Sequence, residues 1–515
     1  TKQARALWPQ LALAAILVWA ALLRLWNLDA TEFKFDEARV ATLAARFVDT
    51  GTLPVRGMGA STGVDNPPGA IYLFSLPALL SRDPWVLSAW VALLNVAAVW
   101  GCYRLGRAQW GTAAGLLAAL LLASSPWAVF YSRKVWAQNL LLPFVLLLFG
   151  LLYAWILGGR RSGRTRWALC GALVTLSFLT QIHLAALALV PAVGLAIVLT
   201  LAWRLKERQA APDWVPLAAG IALAALLYLP YLAADAQENW RNVRAIVQAT
   251  GAESTIRWQA LRYALLNVGG REIHALAGPE RYQEFLGTIL NLDYWPDRVQ
   301  EALVVLGALY LGVRAVRRRR QPGVLARDSL LLLWLIGPAL FFLRSSTTVY
   351  PHYLIPVYPA PSLVLAVAAT QLFSPAQKPG FWRAFRRWAV VLAALLLALL
   401  VAWQGYLSLS IYAFVDRHHT PGGMGTPIRI QRRVARIIQQ QSAAWNNPQA
   451  VLLCPGDDPR LDECPAVYGF MLGRALDLRV ADRANLLLPQ SASDTLLVLA
   501  PGAEGAVELL PSFVQ

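Results

Sequence analysis

Asp36 and Glu37 stand side by side after Phe35, just past the first strongly apolar segment at 7–28. An Asp-Glu pair at a water–membrane boundary can take a proton from a hydroxyl, hold a divalent cation, or do both. The plain alternative is that two acids in an aqueous loop are simply solvated, and spacing alone favours it. The surroundings change that weighing. Val40, Leu43, Ala44 and Phe47 recur near helical spacing in 37–48. This predicts a short helix lying on a membrane surface, with Asp36 at its N-terminal end, where it would also act as a cap.

The elements that must position this pair are apolar. Of 515 residues, 57% are hydrophobic and only 15% charged, and the mean hydropathy is +0.48. That is too apolar for a soluble protein of this length and indicates a polytopic membrane protein. Eleven runs read as spans: 7–28, 85–103, 112–130, 140–157, 167–180, 184–203, 215–234, 299–316, 330–343, 354–373 and 388–412. The first is long enough to span and lacks a small-residue cleavage site, so it reads as an anchor and not a cleaved leader. A start at Thr1 suggests N-terminal trimming.

The net charge of +17 does not point to nucleic acid, because the basic residues cluster in short loops between spans. Arg104 and Arg107, Arg160 to Arg166, Arg204 to Arg208, Arg314 to Arg320 and Lys378 to Arg387 all fall on one side if the N-terminus is cytoplasmic. The other, outer side then carries the loop 29–84, the Arg133-Lys134 turn, the break at Gln181-Ile182-His183, the loop 235–298, the turn from Arg344 to Tyr353, and the C-terminus. The loop 29–84 includes Asp65-Asn66-Pro67-Pro68-Gly69, a proline-locked turn before a second short helix. The loop 235–298 has amphipathic pieces suited to a flap over a substrate site. Membrane lipids are expected partners.

After residue 412 the composition shifts. Gly422, Gly423 and Gly425 read as a linker, 428–441 as a helix, and 450–453, 476–480 and 495–500 as short strands. Two units follow: 1–412, a transmembrane module, and 413–515, a small extracytoplasmic α/β domain. Asp457, Asp458, Asp462 and Glu463 read as solvated turn residues. Cys454 and Cys464 fit either a disulfide or two free thiols.

The order Phe35-Asp36-Glu37-Ala38, Asn66-Pro67-Pro68, Tyr131-Ser132-Arg133 and Pro351-His352-Tyr353-Leu354-Ile355-Pro356 resembles the GT-C glycosyltransferases. The nearest branch is the protein O-mannosyltransferases and aminoarabinose transferases. The resemblance covers the membrane part to about residue 373. It implies a GT-C type α-helical fold and transfer, with inversion, of a sugar from a polyprenyl-phosphate donor to a lipid, glycan or protein acceptor on the outer face of a bacterial plasma membrane. It makes Asp36 the general base, with Glu37 a weaker partner or metal ligand. Arg133 matches the family's arginine before the fourth span, a cation for the lipid phosphate. Lys134, Arg344, His352 and Tyr353 are further substrate-binding candidates; for Arg344 the alternative is interfacial snorkelling, and for His352 a polar helix end.

The departures matter. Relatives often carry Lys-Pro-Pro where Asn66-Pro67-Pro68 stands, an acid near Gln138-Asn139, and a lysine near Gln181 to His183. A two-acid metal site is thereby in doubt, and the cofactor expectation is either none or a divalent cation. Gln181 and His183 either bind sugar hydroxyls or satisfy the broken helix's own backbone. Two other classes remain: a ligase or polymerase of lipid-linked oligosaccharides, and a non-enzymatic flippase or transporter. A transporter should carry charges at mid-span and internal repeats, and neither is seen.

Overall fold

A backbone in hydrocarbon must satisfy its own N–H and C=O groups, and a helix does so within one segment. All eleven apolar runs are helical in this computed structural model, which describes residues 2–59, 63–158, 163–206, 213–251, 253–290, 292–372, 381–443, 449–482 and 495–500. Among them, eight helices are long and apolar enough to cross a membrane. A ninth candidate is the pair Pro351–Val357 and Pro359–Gln371, bent by 49°. The other two runs fall short of a crossing by length or polarity. Thr112–Ser124 has 13 residues and breaks before Pro126–Tyr131. Gly163–Ile182 carries Arg164 and Arg166 in its first turn and Gln181 at its end. Arg160, Arg161, Arg208 and Lys378 lie outside the described residues.

Small residues let these helices approach closely, as apolar bundles in lipid require. A Cβ on Gly106 would stand 2.8 Å from the Gly115 Cα, so Pro84–Trp110 and Thr112–Ser124 pack backbone to backbone.

The predicted surface helix is Phe35–Thr50, closed at Gly51 with φ +66°. Its cap differs from expectation. Lys34 occupies the N-cap, and the Glu37 carboxylate reaches back to the Lys34 N–H at 3.1 Å. Glu37 thus does the capping, and Asp36, one residue into the helix, has its side chain left for other contacts.

The loop 235–298 is tied down. Asp235 caps the helix Arg241–Gly251 through the N–H groups of Asn242 and Val243, and Asn242 accepts from the Asp65 N–H at 2.9 Å. Arg241 and Asp65 form an ion pair, and Arg56 pairs with Glu238 at 2.5 Å.

The glycines read as a linker form a turn tied to remote segments around the buried Met424. Met424 donates its N–H to Leu276 O at 2.9 Å and Ile428 to Thr31 O at 2.9 Å, while Gln431 donates to Phe33 O at 2.8 Å. Beyond it, Gln449–Cys454 is the central strand of a three-stranded parallel sheet, flanked by Asp477–Asp482 and Thr495–Leu499. The helix Glu463–Leu472 packs on Phe35–Thr50, with Phe470 against Phe33 at 5.6 Å. Cys454 and Cys464 form a disulfide.

Candidate active site

Four breaks in the bundle meet at one end. The stretch after the first helix supplies Glu32, Lys34, Asp36 and Glu37. The turn after Pro126–Tyr131 supplies Arg133, Lys134 and Trp136. The break after Gly163–Ile182 supplies His183, and the short helix Pro351–Val357 supplies His352.

Lys134 is the hub. It pairs with Glu37 at 2.8 Å and with Glu32, and its Nζ lies 3.6 Å from the centre of the Trp136 ring. Glu32 also takes Lys34 at 2.5 Å, and Lys34 donates to Gly423 O at 2.8 Å. Glu32, Glu37 and Lys134 are buried. Burial pushes the Glu37 carboxyl up to about 7, against the pull of Lys134. For Lys134 burial alone would lower the ammonium, but Glu37 and Glu32 outweigh it and hold it above its ordinary value. Glu32 can balance Lys134 on its own, so burial holds the Glu37 carboxyl above its ordinary range.

Asp36 differs from its neighbours. It is only partly buried, Trp136 hydrogen-bonds to its carboxyl, and it has no ion pair among the described residues. Burial raises its pKa, while the charges of Lys134 and Arg39 hold that rise back. Arg39, one turn further along the same helix, has its guanidinium in no hydrogen bond or ion pair with a described residue. A Cβ added at Gly59 would stand 3.9 Å from the Arg39 Nη2, and the guanidinium lies 5.9 Å from the centre of the Phe35 ring.

Arg133 and Lys134 are adjacent but point to different tasks. The Arg133 guanidinium is fully buried and donates to the carbonyls of Leu23 (3.0 Å), Trp26 (2.8 Å) and Asn27 (2.6 Å) and to the Thr31 hydroxyl (3.3 Å). It stacks 3.6 Å over Tyr412. Here it satisfies the end of the first helix, whose last carbonyls lack partners of their own.

The remaining candidates divide. His352 stacks edge-on with Trp136 at 5.0 Å, lies flat on Tyr350 at 5.5 Å and touches Tyr353 at 4.8 Å, within electrostatic reach of His183 and Lys134. His183 Nδ1 accepts from the Ala185 N–H at 3.1 Å, and burial lowers its pKa to about 4. The ring is therefore neutral at pH 7 with its proton on Nε2. Gln181 is buried, and its Nε2 has no partner among the described residues. The two sequence alternatives thus split: His183 satisfies the break, and Gln181 does not. A Cβ on Gly69 would meet the Gln181 carbonyl at 2.8 Å, so the start of Gly69–Leu80 presses on this break. Asn66 Nδ2 donates to Met58 O at 2.9 Å and shapes its own loop. Arg344 stands apart in a small ribbon with Thr255–Ile256, exposed and donating to Ser254 at 2.8 Å. Tyr353 packs on Phe342 and Tyr350.

Sequence reading missed Glu32, Lys34, Arg39 and Trp136. Arg39 carried a signal, because it lies three residues past Asp36 on one helix face. Glu463, read as solvated, is within electrostatic reach of Lys34, Glu32 and Lys134. Among the described residues no three His, Cys, Asp or Glu side chains gather as metal ligands, and lysines already engage Glu32 and Glu37. The side chains of this cluster do not fit a resident divalent cation.

Over residues 65–241 the chain matches the model of the dolichyl-phosphate-mannose-protein mannosyltransferases. No curated protein sequence matches it. Among solved structures it is similar to ArnT from Cupriavidus metallidurans bound to undecaprenyl phosphate, with a TM-score of 0.53 at 15% identity, covering 98% of this chain and 95% of that one. The apo form of that protein gives 0.55 at 14% identity, over 99% and 95%. The oligosaccharyltransferase of Archaeoglobus fulgidus in complex with Zn and sulfate gives 0.55 at 15% identity, over 91% of this chain and 62% of that one. The chain is an integral membrane protein with the GT-C fold.

Proposed function

We propose that the protein transfers a sugar from a polyprenyl-phosphate carrier to an acceptor hydroxyl, with inversion, and that Asp36 is the general base. The observation that carries this reading is the contrast inside one cluster: Glu32 and Glu37 are matched by lysines, while Asp36 is partly exposed and has no ion pair. The family match over residues 65–241 and the likeness to a structure bound to undecaprenyl phosphate support the donor class.

The acceptor hydroxyl gives its proton to the Asp36 carboxylate as its oxygen bonds to the anomeric carbon, and the bond from that carbon to the phosphate oxygen breaks. Burial makes Asp36 a stronger base than a solvated aspartate. The departing polyprenyl phosphate needs a cation with donors to give. Arg39 supplies it in this reading, with Arg133 committed to the first helix. The Nε2–H of His183, the His352 ring and the Gln181 amide are then donors for sugar hydroxyls. The site faces the outer side of a bacterial plasma membrane, with the N-terminus cytoplasmic and the C-terminal sheet extracytoplasmic.

The test uses purified protein in nanodiscs, a panel of polyprenyl-phosphate sugars and a membrane extract as acceptor source, reading released polyprenyl phosphate. Release that disappears in a folded Asp36→Asn variant and survives EDTA supports the reading. Full activity in Asp36→Asn, or no release from any donor, would sink it.

A further inference from the structure

A second feature lies at the opposite end of the bundle. The C-terminal ends of Leu141–Leu157 and Val190–Lys206 and the start of Pro322–Leu343 enclose a cavity of about 600 Å³. Its walls are mainly apolar, with Leu157, Leu199, Trp203, Leu325 and Leu333 among them, and it is partly open. Leu199 and Trp203 are exposed there. Among the described residues no acid lines it, and the charged lining residue is Arg204, held by Asp213 and the Trp155 carbonyl.

Among the described residues, cations flank two of the wall segments. Lys206 ends one wall helix, and the exposed run Arg317 to Arg320 leads directly into the wall residue Pro322. An interfacial tryptophan beside exposed lysine and arginine, above an apolar slot, matches a phospholipid in both of its parts. The site is remote from Lys134. The 17-residue helix Leu141–Leu157 alone separates them, about 25 Å at its helical rise.

We propose that this groove binds an anionic phospholipid, one acyl chain in the slot and the headgroup phosphate on the arginine run. The occupant is anionic because, among the described residues, the exposed charges that these segments give at the mouth, Lys206 and Arg317 to Arg320, are positive. It is not the polyprenyl donor, whose phosphate belongs at the other end. The exclusion of the polyprenyl donor rests on the catalytic reading above; the groove and its cations do not.

The experiment is native mass spectrometry of the purified full chain in mixed micelles containing phosphatidylglycerol, phosphatidylcholine or polyprenyl phosphate. Wild type should retain phosphatidylglycerol over phosphatidylcholine. A variant with Arg318→Gln, Arg319→Gln and Arg320→Gln should lose that lipid by about a hundredfold in affinity. Ala326→Trp, which fills the slot, should lose it too; Leu199→Trp, at an exposed wall position, replaces it if Ala326→Trp fails to fold. Arg433→Gln with Arg436→Gln, exposed on the C-terminal helix Ile428–Ser442, should change nothing. Equal retention of both phospholipids, or full retention in the slot-filled variants, overturns the proposal. So does displacement of phosphatidylglycerol by polyprenyl phosphate, which would give the groove to the donor.

Discussion

At the arginine-rich end of the bundle, Asp213 accepts from Arg204 at 2.6 Å, Arg166 at 2.9 Å and Trp155 at 3.0 Å. Burial acts to raise its pKa, but these bonds outweigh burial and hold the carboxyl below its ordinary range. Asp328 takes two bonds from Arg314, at 2.5 and 2.7 Å. Both of these acids are matched. At the other end Lys134 and Lys34 face Glu32, Glu37 and Asp36, and Asp36 is left without an ion pair. A closed ion pair fixes a helix end, whereas a carboxylate kept out of pairing, partly dry and still reachable, retains the capacity to accept a proton. In the proposed reading the same residue types serve structure at one end and chemistry at the other.

The sharpest break of this contrast is Asp36→Asn. It should lower kcat/KM by about 10²–10⁴-fold and leave the thermal midpoint in detergent close to that of wild type. A large fall in the midpoint would make Asp36 a structural acid like Asp213. Next is Lys134→Met, which leaves Glu32 and Glu37 buried without their shared cation. It should cost about 3–5 kcal/mol of stability, read by denaturation in detergent. A stable, active Lys134→Met protein would remove Lys134 from the centre of the site.

Glu37→Gln tests the proton balance. Below pH 7 the Glu37 carboxyl is protonated, and Lys134 pairs with Glu32 alone. As pH rises through about 7, Glu37 ionises and takes up part of the Lys134 charge, which weakens that charge's hold on Asp36 and strengthens the base. The wild-type kcat/KM profile should rise through an inflection near this pH. Glu37→Gln should lose that inflection and keep the more acidic limb of Asp36. The smallest effect is expected from Arg166→Gln. Arg166 is 45% exposed, and Asp213 keeps Arg204, so the loss should stay under about 1 kcal/mol by the same denaturation assay.

Much of the fold was legible in sequence because hydropathy and helical period act locally. The eleven apolar runs, the helices at 35–50 and 428–442 and the three C-terminal strands follow from residue type and spacing. The pair Asp36-Glu37 stood out for the same reason, as charge at the edge of an apolar run. The division of labour did not. Nothing local distinguishes Arg133 from Lys134, yet one holds carbonyls about a hundred residues away and the other pairs with Glu32, 102 residues away. Glu32 looks like any loop acid until Lys34 and Lys134 converge on it. The glycines at 422–425 read as a linker because their contacts, Leu276 and Lys34, lie far away in the chain.

The amino-acid order by itself determined that this is a helical membrane protein with its unusual polar residues gathered at one end, since transfer of side chains from water and backbone pairing within a helix are settled residue by residue. Only the tertiary structure decided which of those polar groups are matched and which are left over. Pairing of buried charges depends on distances between segments that are remote in sequence, and among the described residues it leaves Asp36 and Arg39 without an ion pair.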